Sequence, residues 1–295
     1  SRTVIGGFGF MSKATTVVGL IAVVAVAAFS ARTYASSHST TASAASAPTA
    51  ANVVHVIGED FRFEAPDVIP AGLTEFKFLN KGPALHHMSV LKLNDGKTID
   101  DLRAALANPG PPPAWVTELG GPNAPVPGVE ANATINLEPG NYALVCFVDI
   151  DGPPHFTKGM VRALKVEAAK GPSATSVKAD TRLDLFDYNF KLSSPITAGT
   201  RTVEVHNAGP QVHEIELVQL APGVTAADFM KWMGKMEGPP PGKALGGIAG
   251  MAPGISEYFT ADFAPGNYLL LCFVPDAKDG KPHFAHGMMQ EITVK

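Results

Sequence analysis

The chain has 295 residues, of which 45% are hydrophobic and 17% are charged, and its formal net charge is -4. This length and hydrophobic content suffice for two globular domains, each with its own core. The sequence has no long run of charge of either sign, which argues against a nucleic-acid-binding surface. The 29 glycines and 25 prolines follow no collagen-like period, so we expect the many tight turns of an all-β protein.

The N-terminal residues 1–35 have the features of an export signal. A short basic start at Met11 precedes the apolar run Val17–Phe29, which has the length of a signal-peptide core and is too short to span a membrane comfortably. We therefore predict an upstream extension at residues 1–10, a signal peptide cleaved after Ala35, and an exported protein that is periplasmic or extracellular. In the alternative interpretation, the segment stays uncleaved and anchors the protein to a membrane.

The rest of the chain is a linker followed by a repeat. Residues 36–51 are almost all Ser, Thr and Ala, a composition typical of a flexible linker. Beyond it the sequence repeats with a period of about 127 residues, which is far too long for one unit of a solenoid or propeller. We therefore predict a first domain at residues 52–168, a second linker at 169–178 and a second domain at 179–295.

Within each copy, short apolar or alternating segments are separated by Gly/Pro turns, the pattern of a β-sandwich. In the first copy the predicted strands are Thr74–Leu79, Met88–Leu93, Thr134–Leu137, Tyr142–Val148 and Met160–Val166. An insert interrupts each copy, with a short predicted helix (Ile99–Ala107 in the first copy, Ala226–Met236 in the second) and then a Pro/Gly-rich loop. The sequence therefore predicts two tandem β-sandwich domains, each with one short helix.

Four residue types recur in register in the two copies. A His follows an Asn-x-Gly-Pro turn, a Cys stands at a strand end far downstream, and a His and a Met follow in the next loop. The four are His86, Cys146, His155 and Met160 in the first copy, and His213, Cys272, His283 and Met288 in the second. Two imidazoles, a thiolate and a weak axial thioether form the donor set of a type 1 copper, whereas zinc would use the Met poorly. We therefore predict two copper sites, one per domain.

On these residues, the chain resembles the cupredoxins, which include plastocyanin, azurin and the copper domains of nitrite reductases and multicopper oxidases. The most specific part is the segment from Cys146 to Met160, whose spacing resembles the type 1 loop of copper nitrite reductases. The second copy departs from it, because ten residues separate Cys272 from His283. The resemblance implies a Greek-key fold in each copy and a redox potential set by hydrogen bonds around the sulfur.

Two other interpretations of the cysteines stay open. An old cupredoxin scaffold could keep Cys146 and Cys272 as buried free thiols without copper. A disulfide between them is the other possibility. It would require two equivalent strand ends of different domains to face each other within bonding reach.

Several residues that could bind metal do not repeat. His87 aligns with Glu214, so we expect it on the surface or behind the ligands, and we expect His55, His206 and His286 to be solvated. The three methionines on the second predicted helix follow a helical spacing that is more typical of packing than of cuprous binding; they are Met230, Met233 and Met236.

The sequence favours an electron carrier over an enzyme. In the nitrite reductases and two-domain laccases that share this plan, a His beside the type 1 Cys leads to a further copper. Here both neighbours of each Cys are apolar, and the sequence has no His-x-His pair. Our hypothesis is an exported copper-binding electron-transfer protein with a redox partner protein. The alternatives are a multicopper enzyme with an additional interface copper built from residues such as His87 or His206, and a copper storage or delivery protein.

Overall fold

The computed structural model describes residues 50–108, 112–150, 152–172, 174 and 176–295. The predicted export signal lies outside this part of the chain. Among the described residues, no helix has the length and apolar character that crossing a membrane requires.

Both copies of the repeat fold mainly into β-strands. The elements of the first copy are β1 (Asn52–Glu59), β2 (Arg62–Glu64), β3 (Val68–Pro70), β4 (Gly72–Asn80), β5 (Ser89–Leu93), α1 (Ile99–Leu106), β6 (Val116–Gly120), β7 (Glu130–Leu137), β8 (Gly140–Val145) and β9 (Val161–Glu167). Those of the second are β10 (Thr181–Phe186), β11 (Asn189–Leu192), β12 (Gly199–Asn207), β13 (His213–Leu220), α2 (Ala226–Met233), β14 (Gly242–Met251), β15 (Ser256–Phe263), β16 (Gly266–Leu271) and β17 (Met289–Val294). A short 3₁₀ helix precedes the last strand of each copy, at His155–Lys158 and His283–His286.

Each copy is a sandwich of two sheets, and the strand orders are the same except that the first copy has one additional edge strand, β3. The first copy has the orders β2-β1-β4-β7 and β6-β5-β8-β9-β3, and the second has β11-β10-β12-β15 and β14-β13-β16-β17. In both copies the first strand runs parallel to its inner neighbour, as β1 does to β4 and β10 to β12. Because the chain crosses between the sheets after β4 and again after β7, the connections are of the Greek-key kind. The predicted pair of cupredoxin-like sandwiches is confirmed.

Alternation along the strands explains how the two sheets enclose a core. In β4, Phe76 and Phe78 are fully buried, whereas Lys77 between them is half-buried and faces the other way. In β8 the pattern is different, because the run Tyr142–Val145 is buried on both faces. Strands buried on both faces need a second layer of apolar side chains outside the sheet.

The inserted helices supply that outer layer. Leu102 of α1 packs with Ala143 and Val145 of β8, and Phe229 of α2 packs with Leu269 and Leu271 of β16. Each helix begins at a Thr that forms a capping box with an Asp three residues later. The predicted helices are therefore present, and each stabilises the sheet that carries the Cys.

The second helix ends earlier than predicted. The sequence predicted Ala226–Met236, but α2 ends at Met233 and Gly234 caps it. Met230 and Met233 pack in the small core beneath the helix, while Met236 is exposed. Packing therefore explains Met230 and Met233, as the sequence indicated, but not Met236.

The two sandwiches share both sheets, which the repeat did not predict. β7 pairs with β15 and β6 with β14, so an eight-stranded and a nine-stranded sheet each run through both copies. The amide of Asn123 donates to the carbonyl of Gly247 at 3.1 Å, and the amide of Ala249 donates to the carbonyl of Gly121 at 2.8 Å. These two bonds join repeat-equivalent residues in exchange, as in the interface of a twofold dimer.

Glycine is required at two positions next to the pairing of β6 with β14. Gly121 and Gly247 have φ values of 107° and 118°, a left-handed region that favours glycine. A Cβ atom at either position would lie 2.2 Å from a backbone carbonyl oxygen, that of Met88 or of Ile215. Within each domain, these two glycines therefore allow the segment at the interface to pack closely against its own neighbouring chain segment.

Candidate metal centres

The first His of each set is held by the turn that follows the long strand β4 or β12. The side-chain oxygen of Asn80 accepts a hydrogen bond from the amide of Gly82 at 3.0 Å, and its Nδ2 donates to the carbonyl of Ala84 at 2.9 Å. Asn207 makes the two equivalent bonds in the second copy. The Asn-x-Gly-Pro motif is thus a rigid turn that delivers His86 to the interior.

The other three side chains of the first set lie on the loop that follows β8. The strand ends at Val145 and not at Val148 as predicted. The amide of Cys146 donates to the carbonyl of Met160 at 3.1 Å, and the amide of His155 donates to the carbonyl of Val148 at 2.9 Å. These bonds turn the chain out of the sheet and bring the Cys, His and Met together.

The longer loop of the second copy closes in the same way. The amide of Cys272 donates to the carbonyl of Met288 at 3.3 Å, and the amide of His283 donates to the carbonyl of Val274 at 2.9 Å. The extra residues are accommodated between Val274 and His283, where Asp276 holds the loop. The different spacing therefore leaves the arrangement of the set unchanged.

In the first copy, the predicted side chains converge on one buried point. The Nδ1 atom of His86 lies 2.9 Å from Nδ1 of His155, and Sγ of Cys146 lies 3.5 Å from the same Nδ1. The three side chains are fully buried, and each has a ligand atom within 4.8 Å of the others. Met160 is also fully buried and belongs to the same core cluster as Cys146.

The second copy repeats this geometry. Nδ1 of His213 lies 3.1 Å from Nδ1 of His283, and Sγ of Cys272 lies 3.4 Å from Nδ1 of His283. Met288 is fully buried in the core cluster that contains Cys272. The predicted His and Cys residues therefore form two equivalent groups, and the two predicted Met residues are buried in the same core cluster as the cysteines.

Both groups have the chemistry that copper requires. In each, two imidazole nitrogens and a sulfur point at one another in a buried position beside a Met, the donor set of a type 1 copper. Neither Cys146 nor Cys272 forms a disulfide, so the alternative of a disulfide between the domains does not apply. The two His-Cys-His-Met groups are consistent with two type 1 copper sites.

Burial sets the protonation states of the second group. It lowers the pKa of His283 to about 4 and also lowers the pKa of His213, so both imidazoles are neutral near pH 7. Burial raises the pKa of the Cys272 thiol. A metal must therefore displace the thiol proton, and its binding should release that proton to solvent.

A carboxylate that the sequence analysis missed supports the first His of each set. Nε2 of His86 lies 2.5 Å from Oδ1 of Asp60, and Nε2 of His213 lies 2.8 Å from Oδ1 of Asp187. An acceptor at this position keeps the proton on Nε2 and leaves Nδ1 available to a metal. Asp60 and Asp187 are 127 residues apart, so the repeat itself carried the signal that could have identified them.

An aromatic ring covers the second His of each set. The ring centroids of Phe61 and His155 are 4.9 Å apart, and those of Tyr188 and His283 are 5.6 Å apart. Tyr188 differs from Phe61 because its hydroxyl donates to Oδ2 of Asp276 at 2.5 Å, and that oxygen lies 3.8 Å from Nε2 of His283. The second group therefore has a polar edge where the first has an apolar one.

Residues next to the first His also contact the Cys segment. The amide of Phe147 donates to Nε2 of His87 at 2.8 Å, and the amide of Phe273 donates to Oε1 of Glu214 at 2.8 Å. Both acceptors are buried. His87 was expected either on the surface or behind the ligands, and it lies buried behind the ligands.

Three other histidines of the described residues are not members of the two His-Cys-His groups. His55 and His286 are exposed, as expected, whereas His206 is half-buried with Nδ1 2.8 Å from Oγ of Ser256. His286 and Asp279 form a hydrogen-bonded pair at 3.1 Å in the longer loop of the second copy. This pair stabilises the loop.

The strand order and the buried donor sets define a two-domain cupredoxin-like protein with one type 1 copper-like site in each domain. No protein-family model matches the sequence, and a comparison with curated proteins gives no match. Among solved structures, the chain is similar to dithionite-reduced auracyanin from Roseiflexus castenholzii, with 20% identity, 40% of this chain and 98% of auracyanin covered, and a TM-score of 0.27.

Two other copper proteins are similar to a greater share of the chain than auracyanin is. For the blue copper oxidase from Nitrosomonas europaea, the identity is 16%, the coverage is 82% of this chain and 86% of the oxidase, and the TM-score is 0.24. For the copper-containing nitrite reductase from Thermus scotoductus, the identity is 13%, the coverage is 82% of this chain and 61% of the reductase, and the TM-score is 0.22. The class stated above follows from the strand order and donor atoms of this chain itself.

Proposed function

We propose that the protein is an exported electron-transfer protein that holds one type 1 copper in each domain. The ligands are His86, Cys146, His155 and Met160 in the first domain, and His213, Cys272, His283 and Met288 in the second. The observation that carries the proposal is the convergence, in each domain, of two His Nδ1 atoms and one Cys Sγ atom in a fully buried position. Bound there, copper supplies a one-electron redox couple.

The surrounding chain suits electron transfer because it holds the ligands in place. Asp60 fixes the orientation of His86, and the amide of Phe147 is held by His87 beside Cys146. Ligands held by a strand end and by such outer contacts keep their positions better than ligands on unsupported loops.

The proposal also includes a partner and a location. We propose that the chain exchanges electrons with another redox protein and that it does not bind nucleic acid. Export rests on the signal-like residues 1–35, and attachment to a membrane would require that this segment stay uncleaved.

The enzyme alternative needs a further copper, and His87 does not suit that role. Its Nε2 accepts the amide hydrogen bond from Phe147, and its Nδ1 lies 3.3 Å from Oδ1 of Asn123. Both ring nitrogens are therefore engaged within the protein, which favours the carrier.

Metal analysis and visible spectra of the copper-loaded full chain test the proposal. We expect two coppers per chain and an intense visible absorption, and we expect Cys146→Ser and Cys272→Ser each to remove one copper and its share of the absorption. Three or more coppers per chain would favour the enzyme. Tight cuprous binding without a reversible couple would favour storage or delivery, and a colourless protein that takes up no copper would overturn the proposal.

A further inference from the structure

A single side chain connects the two domains behind the candidate copper sites. Asn123 lies at the interface between β6 and β14, with Oδ1 3.3 Å from Nδ1 of His87 and with Nδ2 donating to Oε2 of Glu214 at 3.3 Å. All three side chains are buried. His87 and Glu214 are equivalent residues of the repeat, whereas the equivalent of Asn123 is Ala249, which cannot form such bonds. The interface therefore contains this connection once.

Each end of the connection reaches a Cys. His87 accepts from the amide of Phe147, directly after Cys146, and Glu214 accepts from the amide of Phe273, directly after Cys272. The backbone amide of Glu214 also donates to Sγ of Cys272 at 3.5 Å. A continuous path of hydrogen bonds and short covalent steps thus runs from one sulfur to the other.

The directions of these hydrogen bonds are determined by their partners. Nε2 of His87 accepts the hydrogen bond from the amide of Phe147, so the ring carries its proton on Nδ1 and donates it to Oδ1 of Asn123. Oδ1 of Asn123 also accepts from the amide of Ala124 at 3.0 Å, and its Nδ2 also donates to the carbonyl of Ile215 at 3.2 Å. The Asn123 amide is therefore held in one orientation.

We propose that His87, Asn123 and Glu214 form an interdomain bridge that couples the two candidate copper sites, so that the charge on one site alters the reduction equilibrium of the other. This inference rests on the proposed function. Aligned hydrogen bonds in a low-dielectric interior polarise one another, so a change of charge at one sulfur is passed along the bridge. Coupling of this kind is reciprocal, and we expect it to change the equilibrium constant for reduction about fivefold.

Redox titrations followed by visible absorption test the coupling. Cys146→Ser and Cys272→Ser report each remaining site by itself. If the sites are coupled, the sum of these two single-site curves does not reproduce the curve of the copper-loaded wild type, and the discrepancy corresponds to about a fivefold change in equilibrium constant. In the Asn123→Leu background the single-site curves should add up to the two-site curve.

Asn132→Leu is the matched control. Asn132 also joins the domains, with Nδ2 donating to the carbonyl of Thr260 at 2.7 Å and Oδ1 accepting from its amide at 2.8 Å, but it belongs to the other sheet. This variant should keep the coupling. Glu214→Gln provides a second break of the bridge at almost unchanged shape. A glutamine has one acceptor oxygen, so its NH2 group would face a donor, either Nδ2 of Asn123 or the amide of Phe273.

A measurement on the copper-free protein tests the interdomain bridge separately from the proposed electron-transfer function. In the metal-free protein, Asn123→Leu should shift the amide proton resonances of both Phe147 and Phe273, and Asn132→Leu should shift neither. Additive wild-type curves, or coupling that survives in both Asn123→Leu and Glu214→Gln, would overturn the bridge while leaving the electron-transfer proposal intact. Failure to bind copper overturns the proposed function, and the coupling with it, even where the amide shifts show that the bridge forms.

Discussion

The Nε2 atom of His86 lies 2.5 Å from the Oδ1 atom of Asp60, and the pair joins the turn after β4 to the turn between β1 and β2. The carboxylate holds the imidazole with its proton on Nε2, so Nδ1 faces His155 and Cys146. Because an equivalent pair forms in the second domain, this outer contact belongs to the basic design of both sites.

Replacing this carboxylate should weaken copper binding in one domain only. We expect Asp60→Asn to lower the copper affinity of the first site about 10- to 100-fold, because outer contacts of this kind fix the tautomer and basicity of the ligand. A chelator competition titration in the Cys272→Ser background measures the first site by itself. Asp67→Asn, which removes an exposed partner of Arg162, is the control, and an equal loss in both variants would contradict the role of Asp60.

The glycine beside each first His should be needed for metal binding. A Cβ at Gly82 would lie 2.5 Å from Nε2 of His86, and one at Gly209 would lie 2.6 Å from Nε2 of His213. We therefore expect Gly82→Ala to displace His86 and to lower the copper content from two per chain to one, with Gly209→Ala doing the same in the other domain. Gly171→Ala, where the added carbon meets open space, should retain both coppers. Full copper content in Gly82→Ala would contradict the close packing of Gly82 against the His86 ring.

A buried glutamate at the domain interface should make stability depend on pH. Glu257 is fully buried, its Oε2 accepts from the amide of Gly121 at 3.1 Å, and burial raises its pKa well above the ordinary value of 4.5. The folded protein therefore holds a proton that the unfolded chain releases. The stability that this bound proton contributes is present in full below the pKa of Glu257 in the unfolded chain. It is lost as the pH rises towards the pKa of Glu257 in the folded protein.

Chemical denaturation of the metal-free protein between about pH 5 and pH 8 measures this effect. Glu257→Gln should raise the free energy of unfolding at the upper end of this range and flatten its dependence on pH. Glu130→Gln changes an exposed glutamate of β7, the strand that pairs with β15, and should leave the dependence as in the wild type. An unchanged slope in Glu257→Gln would show that Glu257 is not the group responsible.

The tyrosine at the edge of the second site should tune its potential. The hydroxyl of Tyr188 donates to Asp276, whose carboxylate lies near Nε2 of His283. In Tyr188→Phe that donor is lost, so the negative charge acts more fully on the site and favours the cupric state. We expect the reduction potential of the second site to fall by about 59 mV or less, which is up to tenfold in the equilibrium constant for one electron. The measurement uses the Cys146→Ser background, and a rise in potential would contradict this role.

Most of the local structure could be predicted because it depends on neighbouring residues. The alternation that buries Phe76 and Phe78 is visible along β4, and the Asn80 turn and the capping boxes are closed by residues a few positions apart. The errors fell at element ends, such as Val145, where hydrogen bonds from a distant loop ended the strand.

The sequence by itself determined which residues are candidates for the two sites, because a recurrence in register marks Cys146 and Cys272 with their predicted partners without any knowledge of distances. Only the tertiary structure decided how the two domains share their sheets and which side chains meet behind the sites. Asn123 and Glu214 are 91 residues apart and belong to different domains. Neither periodicity nor repeat spacing reports such a contact, since it arises from how two folded surfaces pack against each other.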